Sequence, residues 1–453
     1  MMDRSRSPLP QGEIEFHLPN IERFVLQNGL KVLFVKKDKL PLMQISLLIK
    51  AGSIFDTLDK AGTAHLTAMM IDEGAGPYNS LELDNEIEKL GSIISISNNH
   101  DSLYVSLLSL KENFERSLEL ASLIITEPVL AEEDFNREKY KLENKLQQMY
   151  DDPGYIASSN FDRICYLGTN YSLPAMGVKS SVSKLELGDI KNYYNDHFSP
   201  ENSHLIVVGN IDQDDLEKKL NKYLAAWTNK KTGDDPVTSF SSEGRKIYII
   251  HKEDAAQTEI RVGCLASGRK DGDYFDKMVV NTILGGQFSS RINLNLREDK
   301  GFTYGANSIM NYNAATGVFR IGTAVNMENT AEALSEIFKE IKGIKKEITS
   351  DEIEFARSYL VKSFPSKFET YGQIANNLNA IVLQDLHDSY YNEYIENVSK
   401  VTRESALKAA EANLKEEEMI IVLVGDKGKI IPQLKDSSDE IIHLDIEGNV
   451  LNS

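Results

Sequence analysis

Three observations predict an α+β protein of two homologous domains, each a mostly antiparallel sheet covered by helices. The first is an internal repeat: VSKLELGDIKNYYNDHFSPENSHLIVVGNID from Val182 aligns without gaps on VSKVTRESALKAAEANLKEEEMIIVLVGDKG from Val398, an offset of 216. The second is the polar stretch TNKKTGDDPVTSFSSEGRK from Thr228 to Lys246, whose Gly, Ser, Asp and Pro content reads as a linker. The third is the order of elements in each half, strands and hairpins interleaved with helices, in a 453-residue chain too long for one core. The expected division is a flexible tail over 1–15, a domain over 16–227, the linker over 228–246 and a domain over 247–453, the two domains facing each other.

The elements follow in order. Arg23 to Gln27 and Leu30 to Val35 flank Asn28-Gly29, which predicts a hairpin with a type I′ turn, a turn that needs positive φ at both central residues. Met43 to Lys50 reads as the next strand. The segment GTAHLTAMM, Gly62 to Met70, reads as a helix with Leu66, Met69 and Met70 on an apolar face. The helix Leu81 to Leu90 starts at Asn79 with Glu82 placed for a capping box and stops at Gly91. Strands are expected over Ile93 to Ser97 and Leu103 to Leu110, then long helices from Asn113 and Glu132. The repeat supplies a helix, a polar loop and an apolar strand ending at Gly209 and again at Gly425. Its offset also pairs Glu112-Asn113 with Glu328-Asn329, while Ile45 falls one residue off that register against Ile260.

Composition narrows the function. A formal charge of -19 disfavours nucleic acid and anionic membranes, both of which need a basic field. Cys165 and Cys264 are too few for a disulfide framework and have no metal-ligand spacing. No apolar run approaches a membrane span or a signal peptide, so the expected location is cytoplasmic, or periplasmic if a signal has been removed.

NGLKVLFV, GTAHLTAMM, FNREKYKLENK, HFSPENSHLIVVGNID and LGGQFSSRINLNLREDKGFTYG occur in the order found in the pitrilysin or insulinase family of zinc metallopeptidases, and the chain resembles its short members from about Phe24 to Gly425. The resemblance implies a zinc motif His-x-x-Glu-His on the first helix and a glutamate ligand on a later one. Here His65 is followed by Ala68 and Met69, so the general base and second ligand are replaced. Counting from Met69, and counting seven from Glu138, both arrive at Lys145 for the third ligand. An ammonium repels a cation, so no metal is expected in this chain. Read without the family, His65 is a structural residue and Lys145 belongs to a solvated helix face with Glu138, Lys141 and Gln148.

In the second half, Arg297 and Tyr304 match the family's arginine–tyrosine pair, which the resemblance assigns to the substrate backbone and the developing oxyanion. Leu284-Gly285-Gly286-Gln287 resembles the loop that precedes this pair, and reads equally as a helix C-cap. Gly91 to Asp101 resembles the edge strand that takes peptide substrate, with Ser95 and Ile96 at the usual Asn-Ala pair and Ser97 beside them. The resemblance therefore implies a noncatalytic subunit, giving Arg297 and Tyr304 in trans to a zinc-bearing relative that carries an intact His-x-x-Glu-His and cleaves peptides. A proteolytically silent binding or scaffold subunit is the alternative.

Overall fold

The computed structural model describes residues 14, 16–232, 236, 238–242 and 244–451. Apart from residue 14, the expected tail lies outside them, as do 233–235, 237 and 243 of the expected linker. The strands in chain order begin with β1 Glu22–Val25, β2 Lys31–Lys36 and β3 Leu42–Ile49, followed by a small hairpin of β4 Gly74–Ala75 and β5 Tyr78–Asn79. Then come β6 Ile93–Asn98, β7 Leu103–Leu110 and β8 Ser203–Gly209. The second half supplies β9 Lys246–His251, β10 Gln257–Ala266, β11 Ala306–Tyr312, β12 Gly317–Asn326, β13 Ile420–Gly425 and β14 Glu440–Leu444.

These build two six-stranded sheets, ordered β1-β2-β8-β3-β7-β6 and β11-β12-β10-β13-β9-β14. Pairing is mostly antiparallel, with β2–β8, β9–β13 and β9–β14 parallel. The repeat is visible in the registers. Ile45 lies opposite Leu107 and Ile260 opposite Thr323, so β3 and β10 are offset by 215 where β7 and β12 are offset by 216. The copies differ at one edge, where β1 lies antiparallel to β2 but β14 lies parallel to β9.

Both faces of each sheet are covered, which is why the central strands read as unbroken apolar runs. Val32 and Phe34 face a core within the first half, while Leu33 and Val35 face a core formed with the second half. In β13, Ile421 and Leu423 face one core and Val422 and Val424 another. The covering helices are exchanged between halves. Helix Pro153–Cys165 packs on β10 and β13, and helix Tyr371–Leu383, 218 residues later at both ends, packs on β3 and β8.

One turn departs from expectation. Gly29 has φ +89 but Asn28 is not in the positive region, so the first hairpin is not type I′. The turn closes through Gly29 N to Leu26 O at 2.9 Å, and Asn28 Nδ2 instead donates to Leu224 O and Trp227 O. The loop after helix Gln213–Leu224 has recruited the asparagine that the turn rule would use locally.

Candidate functional site

Helix Thr63–Met70 is held at its N-terminus by Asp56, which accepts from Gly62 N at 2.8 Å and Ala64 N at 2.9 Å. Burial pushes that carboxyl up to about 7 despite these bonds. Gly62 has φ +103, and a Cβ there would lie 2.8 Å from Met176 O, so only glycine fits the entry to the helix. His65 and Met69 share one helix face, with Ala68 buried beside them. The His65 Nδ1 lies 2.7 Å from Asn98 Oδ1, at the end of edge strand β6. Burial lowers the pKa of His65, the Asn98 bond opposes this, and the charge of Lys145 lowers it further. The ring is therefore neutral at pH 7. Lys145 stands on helix Glu132–Met149, which packs against helix Thr63–Met70, near enough for its charge to act on His65.

These groups do not fit zinc. Of the three positions where the resemblance implies ligands, only His65 carries a side chain of the kind zinc sites use; Met69 presents a neutral thioether and Lys145 a cation. Among the described residues no three His, Cys, Asp or Glu side chains are grouped as a metal would require. Lys145 lines an open cavity of about 680 Å³ with Gln148, Tyr155, Ser158 and Arg261.

Ser95, Ile96 and Ser97 lie on β6, which has β7 on one side and, among the described residues, no strand on the other. Ile94 and Ile96 are half-buried against the first core, and Ser95 and Ser97 are exposed.

Arg297 sits in a π-helical turn, Leu294–Asp299, marked by Lys300 N to Asn295 O at 2.9 Å. Asn295 Nδ2 anchors the turn to Glu336 and Glu340 of helix Thr330–Lys346. The Arg297 guanidinium lies 4.6 Å from the centroid of the Phe288 ring, and its one ion pair among the described residues is with Glu298 at 3.4 Å. Tyr304 is 93% exposed. Its loop is fixed by Thr303 Oγ1 and Thr323 Oγ1, both donating to Gly305 O.

Gly285 and Gly286 form the expected helix C-cap. Their amides cap helix Tyr274–Leu284 through Asn281 O, and Gly285 O accepts from Ser308 N of β11 at 2.9 Å. A Cβ on Gly285 would lie 2.5 Å from Ser308 N, so close approach rather than positive φ requires glycine. Asn293 ties the assembly together, donating to Phe288 O and accepting from Ala306 N. Arg297, Tyr304 and the two glycines line one open cavity of about 450 Å³. Sequence reading did not single out Phe288, Asn293 or Arg261.

Residues 31–178 match the family described as Insulinase (Peptidase family M16), and residues 184–360 match the one described as Peptidase M16 inactive domain. A Helicobacter pylori protein named Non-peptidase homolog YmxG is 21% identical over 89% of this chain and 93% of its own length. The Bacillus subtilis protein named Uncharacterized zinc protease YmxG is 22% identical over 80% of this chain and 93% of its own. A crystal structure of a peptidase M16 inactive domain from Pseudomonas fluorescens superposes with a TM-score of 0.85 at 24% identity, covering 90% of this chain and 98% of that one.

Proposed function

Because the chain belongs to the pitrilysin/insulinase (M16) family of zinc metallopeptidases yet lacks the family's metal donors, we propose that it is the noncatalytic subunit of a heterodimeric peptidase. The observation that carries this reading is the Arg297–Tyr304 cavity. A phenol as exposed as Tyr304 has no packing role in its own chain, and beside it stands a guanidinium with little to bind. Both are donors suited to a substrate carbonyl or a developing oxyanion supplied from outside. In this reading a partner with intact His-x-x-Glu-His holds zinc and cleaves the peptide, β6 offers its free edge to peptide at Ser95 to Ser97, and Arg297 and Tyr304 act in trans. The division at 228–246 then separates the half with the degenerate motif from the half with the donors.

A scaffold role is the second reading, favoured by the relative named a non-peptidase homolog. A cytoplasmic location belongs to the same proposal, supported by two buried free cysteines.

The test is co-expression with the zinc-bearing relative. A 1:1 complex by light scattering is expected, with an interface upwards of roughly 2,000 Å² in total. Arg297→Ala or Tyr304→Phe should leave assembly intact and lower turnover by about 10² to 10³, mainly in kcat if the contact strengthens at the transition state. Full activity of both variants in a well-formed complex would transfer the chain to the scaffold reading.

A further inference from the structure

Strand register sets a row of charged and small residues on one face of the second sheet. Arg261 lies opposite Gly322, which lies opposite Asn307, and Arg320 lies opposite Gly263 and Ile309. By the two-residue period Glu259, Arg261, Arg320, Gly322 and Asn307 share that face, and they line a cavity of about 320 Å³. The repeat puts Ser46, Tyr104 and Ser106 at the positions of Arg261, Arg320 and Gly322 in the first sheet. There Ser46 accepts from Asn379 Nδ2 at 2.9 Å beneath helix Tyr371–Leu383. The fold therefore does not require the two arginines, which occur in one copy only.

Their bonding differs. Arg261 donates to Ser158 Oγ, Glu259 Oε2, Ile260 O and Gly154 O, so four of its five N–H groups are used and it braces helix Pro153–Cys165. The Arg320 side chain is 19% exposed; it makes one hydrogen bond among the described residues, Nη1 to Asp162 Oδ1 at 3.4 Å, and its guanidinium lies 5.9 Å from the centroid of the Phe161 ring. Its remaining N–H groups have no acceptor among the described residues. Glu259 is bound to Arg261, which leaves Asp162 as the one carboxylate on Arg320 among the described residues. An enclosed guanidinium with this many free donors suits a bidentate carboxylate. The cavity also shares Ser158 and Arg261 with the one at Lys145, and Asn307 and Ile309 with the one at Arg297 and Tyr304. The three form one trough.

Resting on the peptide-handling reading above, we propose that Arg320, with the spare donor of Arg261, binds a carboxylate of a peptide lying in this trough, either its C-terminus or an acidic side chain. Fluorescence anisotropy on the full chain tests it with four short fluorescein-labelled peptides, carrying Glu or Gln at one central position and a free or amidated C-terminus. The expected result is a preference of at least about tenfold for a carboxylate, weakening with salt. Preference for Glu whatever the terminus assigns the side chain as ligand; preference for the free terminus assigns the terminal group. Arg320→Gln should abolish the preference and Arg320→Lys should retain part of it. Gly322→Asp is an independent variant: a Cβ there meets nothing closer than 3.4 Å, and its carboxylate would occupy the two guanidiniums from within. Equal or undetectable binding of the four peptides, or a preference that survives both Arg320→Gln and Gly322→Asp, overturns the proposal. If turnover of the complex still falls with Tyr304→Phe in that case, this site is lost while the in-trans role stands.

Discussion

Where the resemblance implies a third zinc ligand, Lys145 places an ammonium whose charge already disfavours protonation of His65. The same field opposes a divalent cation. Ala68→Glu with Met69→His should therefore bind no stoichiometric zinc, and adding Lys145→Glu should bring elemental analysis to about one zinc per chain. Ala68 is buried, so its glutamate variant should lose roughly 1 to 3 kcal/mol of stability without metal. A double variant that holds zinc as firmly as the triple one would show that Lys145 is not at the site. As expectations, the roles of His65, Ala68, Met69 and Lys145 were legible in residue type and spacing. The Asn98 partner of His65 was not, because it arrives from a strand 33 residues away.

The capping box at Asn79 and Glu82 and the strand Leu103–Leu110 were readable because each depends on local spacing or a two-residue period. The turn at Asn28 was not, since its side chain answers to carbonyls of the loop at Leu224 and Trp227. On β8, His204 is surrounded by Lys50, Lys31 and Arg23, and burial first, then these charges, lower its pKa to about 4. The unfolded chain has a value near about 6.5, so between these two limits the unfolded state binds more protons. The contribution of neutral His204 is thus fully present above about 6.5 and is lost as pH falls toward 4. Asp56 and Asp72, both raised to about 7 chiefly by burial, act with the opposite sign. Comparison of His204→Asn with the parent by urea unfolding isolates the first effect: the variant should show a flatter rise of stability from pH 4 to 6.5. Parallel curves would mean that the ring is protonated in the fold.

At the scale of the molecule, the exchange of helices joins the halves. Phe161, wholly buried, carries the first half's helix onto the second sheet. Phe161→Ala should cost about 3 to 5 kcal/mol and lower a single thermal transition. Two separated transitions would indicate halves that fold independently. The hairpin turns also meet: Asn99 and Asn313 each accept two amides of their own turn, and Asp101 Oδ2 accepts from Ala314 N at 3.0 Å across the halves.

The sequence by itself determined the duplication, the strand and helix order and the family, since all of these reside in residue type and spacing. Only the tertiary structure decided that each half covers the other's sheet, because an apolar strand looks the same whichever half supplies its second covering layer. It also decided that Arg261 and Arg320 share a face with free donors, because strand register brings together residues 59 positions apart that no local pattern connects.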